Sequence, residues 1–141
     1  MNVATVPLAE KKLALLAALQ QSRDAQERLA WLVARARERP ALPVAEKTTA
    51  NKITGCLAQL WLVAEFRDKR CYFRCDSDSQ IVRAIAGLLS DFYSSQTPDE
   101  ILAHPPDFLA STGITQHLTS NRQNALARVG ETIAQFAKSQ L

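Results

Sequence analysis

The sequence predicts an α+β protein in which helices precede and follow one small antiparallel sheet. Three observations lead there. Apolar residues recur at three- and four-residue spacing before Pro40 and again after Asp76. Between them, a nearly continuous apolar run at Leu57–Phe66 is followed, across Arg67-Asp68-Lys69, by an alternating stretch at Arg70–Arg74. Helix-start residues stand ahead of the periodic segments.

The elements follow in chain order. Leu8–Leu19, rich in Ala and Leu, reads as a first helix. Asp24 caps a second, with Leu29, Leu32, Val33 and Ala36 on one face. Pro40 ends it by Arg39, and Ala41–Thr49 reads as a connecting loop. Leu57–Phe66 and Arg70–Arg74 form a β-hairpin whose charged turn lacks Gly or Asn. Ser77 or Asp78 caps a helix with the stripe Ile81, Ile85, Leu88, Leu89 and Phe92. Thr97-Pro98-Asp99-Glu100 starts a short helix that Pro105 and Pro106 end, and Asp107–Ser111 makes another turn near Gly113. Residues 113–119 read as a polar loop, and Ser120 with Gln123 forms a capping box for a last helix carrying Leu126, Val129, Ile133 and Phe136.

A length of 141 residues, 47% hydrophobic and 22% charged, with four glycines and six prolines, fits one domain over 1–141 and fits neither disorder nor collagen. No apolar run approaches the ~18 residues of a membrane span, and no basic-then-apolar opening suggests a secretory signal. Three cysteines are too few, and odd in number, for a disulfide framework, so a reducing, cytoplasmic setting is expected. The net charge of +3 is uneven: residues 1–74 hold 13 Lys and Arg against 7 acids, and residues 75–141 hold 4 against 7. Without interleaved aromatics this favours Lys11, Lys12, Arg28, Arg35, Arg37 and Arg39 on solvated helix faces over a nucleic-acid surface.

Cys56 is the residue that suggests chemistry. It follows Gly55 at the junction of a polar stretch and an apolar strand, where it is either a presented thiol or a small buried side chain. Cys71 and Cys75 lie on one strand face, about 13 Å apart at ~3.3 Å per residue, beyond disulfide reach and poorly spaced for zinc, so both read as sheet residues and no metal is expected. Arg122, near a helix N-terminus, gains nothing from the dipole there and is free to hold a loop or an anionic group. His117 is a conceivable base for Cys56.

Four stretches in register carry a family resemblance. They are Asn51–Trp61 around Gly55-Cys56, Cys75–Val82, Phe92–Ser94 with Thr97–Ile101, and Thr115–Arg122. Together they resemble the SufE/CsdE family of sulfur acceptor proteins, most strongly over residues 46–130. The resemblance implies helices packed on one face of an antiparallel sheet of about three strands. It also implies a carrier, without turnover of its own, that takes persulfide sulfur from a SufS/CsdA-type cysteine desulfurase, stimulates it, and passes the sulfur to iron–sulfur cluster assembly. Pyridoxal phosphate belongs to that partner, so no cofactor is expected here. A membrane or nucleic-acid partner is not expected either, and homodimerisation is left open.

By the same resemblance, Cys56 is the persulfide acceptor, while Gly55, Gln59, Asp78, His117 and Arg122 bind the partner or hold the loop. Lys52 and Arg122 are the cations that could lower the Cys56 pKa, and Leu57 and Leu60 suit an apolar pocket for it. The chain departs from the family pattern at Ala58, where a serine is common, and at Ala125, where a glycine is usual. Two other readings compete: a basic binding module acting through residues 1–74, and a thiol hydrolase using Cys56, His117 and Asn124.

Overall fold

The computed structural model describes residues 6–55 and 57–141; Cys56 lies outside the described residues. Among the described residues, six α-helices and two strands follow one another, all but α5 as expected: α1 (Leu8–Gln20), α2 (Ala25–Glu38), β1 (Leu60–Arg67), β2 (Arg70–Ser77), α3 (Gln80–Tyr93), α4 (Pro98–Ala103), α5 (Ile114–His117) and α6 (Ser120–Ser139). Short 3-10 turns at Val44–Glu46 and Pro106–Thr112 complete the path. The class is α+β. No helix among the described residues is long and apolar enough to cross a membrane.

α3 forms the middle of the core. Its apolar residues are too many for one stripe, and ten of its residues are buried because β2, α2, α6 and α1 all pack on it. Ile85 and Leu89 are among the fully buried residues, each contributing about 1.5–3 kcal/mol of apolar burial.

Hairpin pairing runs from Leu60 opposite Ser77 to Arg67 opposite Arg70. The two-residue turn puts both Asp68 (φ 51°) and Lys69 (φ 66°) in the left-handed region, so a turn of the type I′ hand forms without glycine or asparagine. Side chains alternate across the sheet. Leu60, Leu62, Phe73 and Cys71 are buried on the helix side, where Phe73 meets Phe136 of α6 edge-to-face at 5.8 Å.

The sheet has two strands, not three. Each outer edge is instead met by irregular backbone. Beside β1, the Ile53 amide donates to the Leu60 carbonyl (2.8 Å) and the Leu62 amide to the Asn51 carbonyl (2.9 Å). Beside β2, the Cys71 amide donates to the Gln96 carbonyl and the Ser95 amide to the Cys71 carbonyl, both at 2.8 Å. Ser94 Oγ also accepts from the Phe73 amide at 2.9 Å. These contacts are too few to build a third strand, yet they satisfy edge groups that would otherwise invite pairing.

Residues 41–52 form a strap over the other sheet face rather than a free loop. The anchor is Asp76, buried with 5% exposure. Its carboxylate accepts from the Leu42 amide (3.0 Å) and the Ser77 amide (2.8 Å) and pairs with Lys47 and Arg83, both at 3.3 Å. Lys47 also lies 5.2 Å from the Trp61 ring centroid, and Glu46 pairs with Arg74.

Of the six basic residues expected in solvent, Arg35 and Arg37 are exposed, whereas Lys11, Arg28 and Arg39 have internal tasks. The Lys11 ammonium donates to the carbonyls of Asp91, Phe92 and Ser94 at the end of α3, each at 3.1 Å. Arg28 donates to the carbonyls of Leu19 (3.0 Å) and Thr112 (2.6 Å), and Arg39 pairs with Asp91. Helix ends leave carbonyls without partners, and these cations complete them.

Helix starts shift by small amounts for the same kind of reason. Asp24 and Thr97 cap α2 and α4 as expected. α3 is capped by Ser79, because Ser77 and Asp78 are both engaged with Gln59. α6 is capped by Thr119 rather than Ser120, and Gln123 Nε2 donates backward to the carbonyls of Thr115 (2.9 Å) and Leu118 (3.1 Å). Those bonds hold α5, a single helical turn in the stretch read as loop.

Burial opposes the charged form of Asp76, but its bonds to the Leu42 and Ser77 amides and to Lys47 outweigh it, so the carboxyl sits below its ordinary value. Stability from this source is complete above the unfolded carboxyl range of about pH 4 and fades as pH falls through the lower folded value. Asp76→Ala should destabilise the chain by about 2–4 kcal/mol in urea unfolding at neutral pH. The difference from the parent should shrink in acid. A difference that stays constant down to about pH 2 would contradict this.

Candidate functional site

The hairpin register decides where the polar junction before β1 sits. Because Leu60 pairs with Ser77, Gln59 lies opposite Asp78 at the open end of the ladder. The Gln59 amide donates to Asp78 Oδ1 (2.9 Å), the Asp78 amide donates to the Gln59 carbonyl (3.2 Å), and Ser77 Oγ donates to the same carbonyl (2.7 Å). This end of the 55–59 stretch is therefore fixed to β2 and the start of α3.

Its other end is fixed to α6. Asn124 Nδ2 donates to the Gly55 carbonyl at 2.6 Å. Gly55 has φ +85°, a conformation that side-chain-bearing residues rarely adopt. A Cβ there would also come within 3.2–3.4 Å of the Arg128 guanidinium, which pairs with Glu131 at 3.5 Å. Glycine is thus favoured at position 55 by its backbone angle, and a side chain there would also have to displace the Arg128 guanidinium by a few tenths of an ångström.

The expected site residues are only partly gathered. Gly55, Gln59 and Asp78 belong to one arrangement, and Cys56 falls between its anchored ends in sequence but outside the described residues. Arg122 lies in the first turn of α6, half-buried, with its backbone amide donating to Thr119 Oγ1 at 3.4 Å. His117 is exposed at the end of α5 and lines a groove of about 410 Å³ with Val33, Arg37 and Gln80. Among the described residues, neither side chain hydrogen-bonds the 55–59 stretch. Asn124, named from the sequence only as a hydrolase partner, is committed to the Gly55 carbonyl. Arg128 was missed. Lying two turns into a helix, it gives no local sign of reaching residue 55.

The apolar-pocket expectation divides. Leu60 is fully buried, but Leu57 is 82% exposed. Leu57 precedes the first ladder pair, so no cross-strand neighbour covers it. The described residues next to the junction offer a polar anchor on each side and an exposed leucine.

The other two thiols are poor nucleophiles. Cys71 is fully buried and Cys75 half-buried. Burial pushes both thiols up; at Cys75 the Ser90 hydroxyl and the Arg39 guanidinium pull the other way but do not reverse it. Both are sheet residues, as expected.

A family model described as SufE, Fe-S metabolism associated domain, matches residues 14–137. An uncharacterized SufE-like protein of Synechocystis is 35% identical over 83 residues, covering 59% of this chain and 52% of that protein. SufE-like protein 1, chloroplastic/mitochondrial, of Arabidopsis thaliana is 38% identical over 81 residues, covering 57% of this chain and 22% of that one. The chain thus spans about half the length of the first relative and about a fifth of the second. The solution structure of a hypothetical protein from Thermus thermophilus superposes with a TM-score of 0.76 over 96% of this chain and 98% of that one, at 19% identity, which shows the shared fold.

Asp78→Ala should release the Gln59 amide with little effect on global stability, below about 1 kcal/mol for a bond at an exposed site. Hydrogen exchange at Gln59 should then accelerate at least tenfold while amides within α3 keep their protection. Unchanged exchange at Gln59 would show that Asp78 does not hold this end.

Proposed function

Because the chain belongs to the SufE family of iron–sulfur metabolism, we propose that it takes sulfur from the persulfide of a cysteine desulfurase onto Cys56 and delivers it to iron–sulfur cluster assembly. The observation that supports this most strongly is the contrast among the thiols. Cys71 and Cys75 are embedded in the sheet face against the helices, whereas Cys56 lies in sequence between Gly55, held by Asn124, and the exposed Leu57.

The chemistry requires one thiolate and a docked donor. The Cys56 thiolate attacks the terminal sulfur of the donor persulfide, forming one S–S bond as the donor's S–S bond breaks. The donor leaves as a thiolate, and the terminal sulfur, with its proton, now rides on Cys56. The step is an exchange in which no external oxidant or reductant takes part.

The chain's own residues contribute placement and charge. Gly55 and Gln59 fix where the segment leaves and rejoins the body, and the exposed Leu57 is an apolar contact for the donor's surface. Lys52, three residues before Gly55, and Arg122, two residues before Asn124, are the cations this reading assigns to favour an anionic sulfur. The free thiols suit a reducing compartment such as the cytoplasm. The protein performs no turnover alone, and the pyridoxal phosphate chemistry that generates the sulfur resides in the desulfurase.

Cys56→Ser should abolish stimulation of desulfurase turnover, measured as sulfide or alanine release from free cysteine, while leaving the thermal midpoint unchanged. Arg122→Ala should reduce stimulation by about three- to tenfold, as for the loss of one charged contact. Full stimulation by Cys56→Ser would overturn the proposal.

A further inference from the structure

We propose that Asn124 is a positioning residue for sulfur transfer, acting through the backbone of Gly55; this rests on the function proposed above. Asn124 sits in the second turn of α6, exposed, and reaches 69 positions back along the chain to donate from Nδ2 to the Gly55 carbonyl at 2.6 Å. It is the hydrogen bond that ties α6 to the residue immediately before the acceptor cysteine among the described residues.

Three features of this contact favour positioning over general stabilisation. The bond is exposed, so its net contribution to stability is small, on the order of 1 kcal/mol. Its acceptor is the peptide group whose C–N bond leads into residue 56, so it sets the plane in which that residue begins. Gly55 is at φ +85°, with the Arg128 guanidinium 3.2–3.4 Å from where a Cβ would stand. Freed of Asn124, a glycine explores more backbone angles than any other residue. The opposite end is held by Asp78 and Ser77, and among the described residues Asn124 is the side chain that hydrogen-bonds the Gly55 end.

Pre-placing a nucleophile accelerates its reaction without requiring tighter docking. Losing Asn124 should therefore slow the transfer step while affinity for the desulfurase stays constant.

The test is single-turnover transfer from a persulfide-loaded desulfurase to the full chain, with affinity measured by titration of the same variants. Asn124→Asp is nearly the same shape, but its carboxylate replaces the donor and repels the Gly55 carbonyl; it should slow transfer at saturating desulfurase by about tenfold. Asn124→Ala should slow it about threefold, and Asn124→Gln, which keeps the amide, should recover most of the parent rate. Affinity should change less than twofold throughout. Equal rates for Asn124→Asp and the parent would overturn the role of Asn124, as would weakened affinity with an unchanged saturating rate, or equal losses in all three variants. A parent chain that takes no sulfur on Cys56 would overturn the proposed function itself.

Discussion

The pairing of Leu60 with Ser77 is the constraint on which the functional end of the molecule depends. A strand slip of one residue would turn every side chain of β1 to the opposite face, exposing Leu60 and Leu62 and moving Gln59 away from Asp78. The register is held because both faces are decided. Helices α3 and α6 take Leu62, Phe73 and Cys71 on one side, and the strap takes Asp76 on the other. The residue before the ladder is thereby placed against the start of α3, while Gly55, four residues earlier, is tied to α6. Core packing and site geometry are consequences of one pairing.

Charge is used inward as well as outward. Lys11, Arg28 and Arg39 complete helix ends and an ion pair within the helical layer, and Arg83 and Lys47 gather around Asp76. Four basic residues of the first half, Lys11, Arg28, Arg39 and Lys47, thus have structural partners, while Arg35 and Arg37 stay exposed on α2. This weakens the reading of that half as a nucleic-acid surface, since side chains bound to carbonyls are not free to neutralise phosphates. The thiol-hydrolase reading loses ground similarly. Asn124 is occupied by Gly55, and His117 faces a groove with α2 and α3.

What was legible in the sequence was what a few neighbouring residues decide. Asp24 and Thr97 announced their helices because cap and first turn lie within three positions of each other. The hairpin was legible from hydrophobic pattern, although a turn built on Asp68 and Lys69 gave no glycine signal. The failures were long-range. Ser77 and Asp78 look like caps and serve Gln59 instead, and the strap over the outer sheet face has no periodicity to announce it. At the site, Gly55, Gln59 and Asp78 could be named from family-like motifs, but the Asn124 bond and the Arg128 contact exist only because folding brings α6 to position 55.

The central claim is that sulfur is received at one of three cysteines, Cys56 next to Gly55, and not at the two in the sheet. Peptide mapping by mass spectrometry after incubation with a desulfurase and free cysteine tests it most directly, since each cysteine is assigned its own modification. The account predicts the mass of added sulfur on the peptide containing Cys56 and none on those containing Cys71 and Cys75. Sulfur on either sheet cysteine, with Cys56 unmodified, would contradict it.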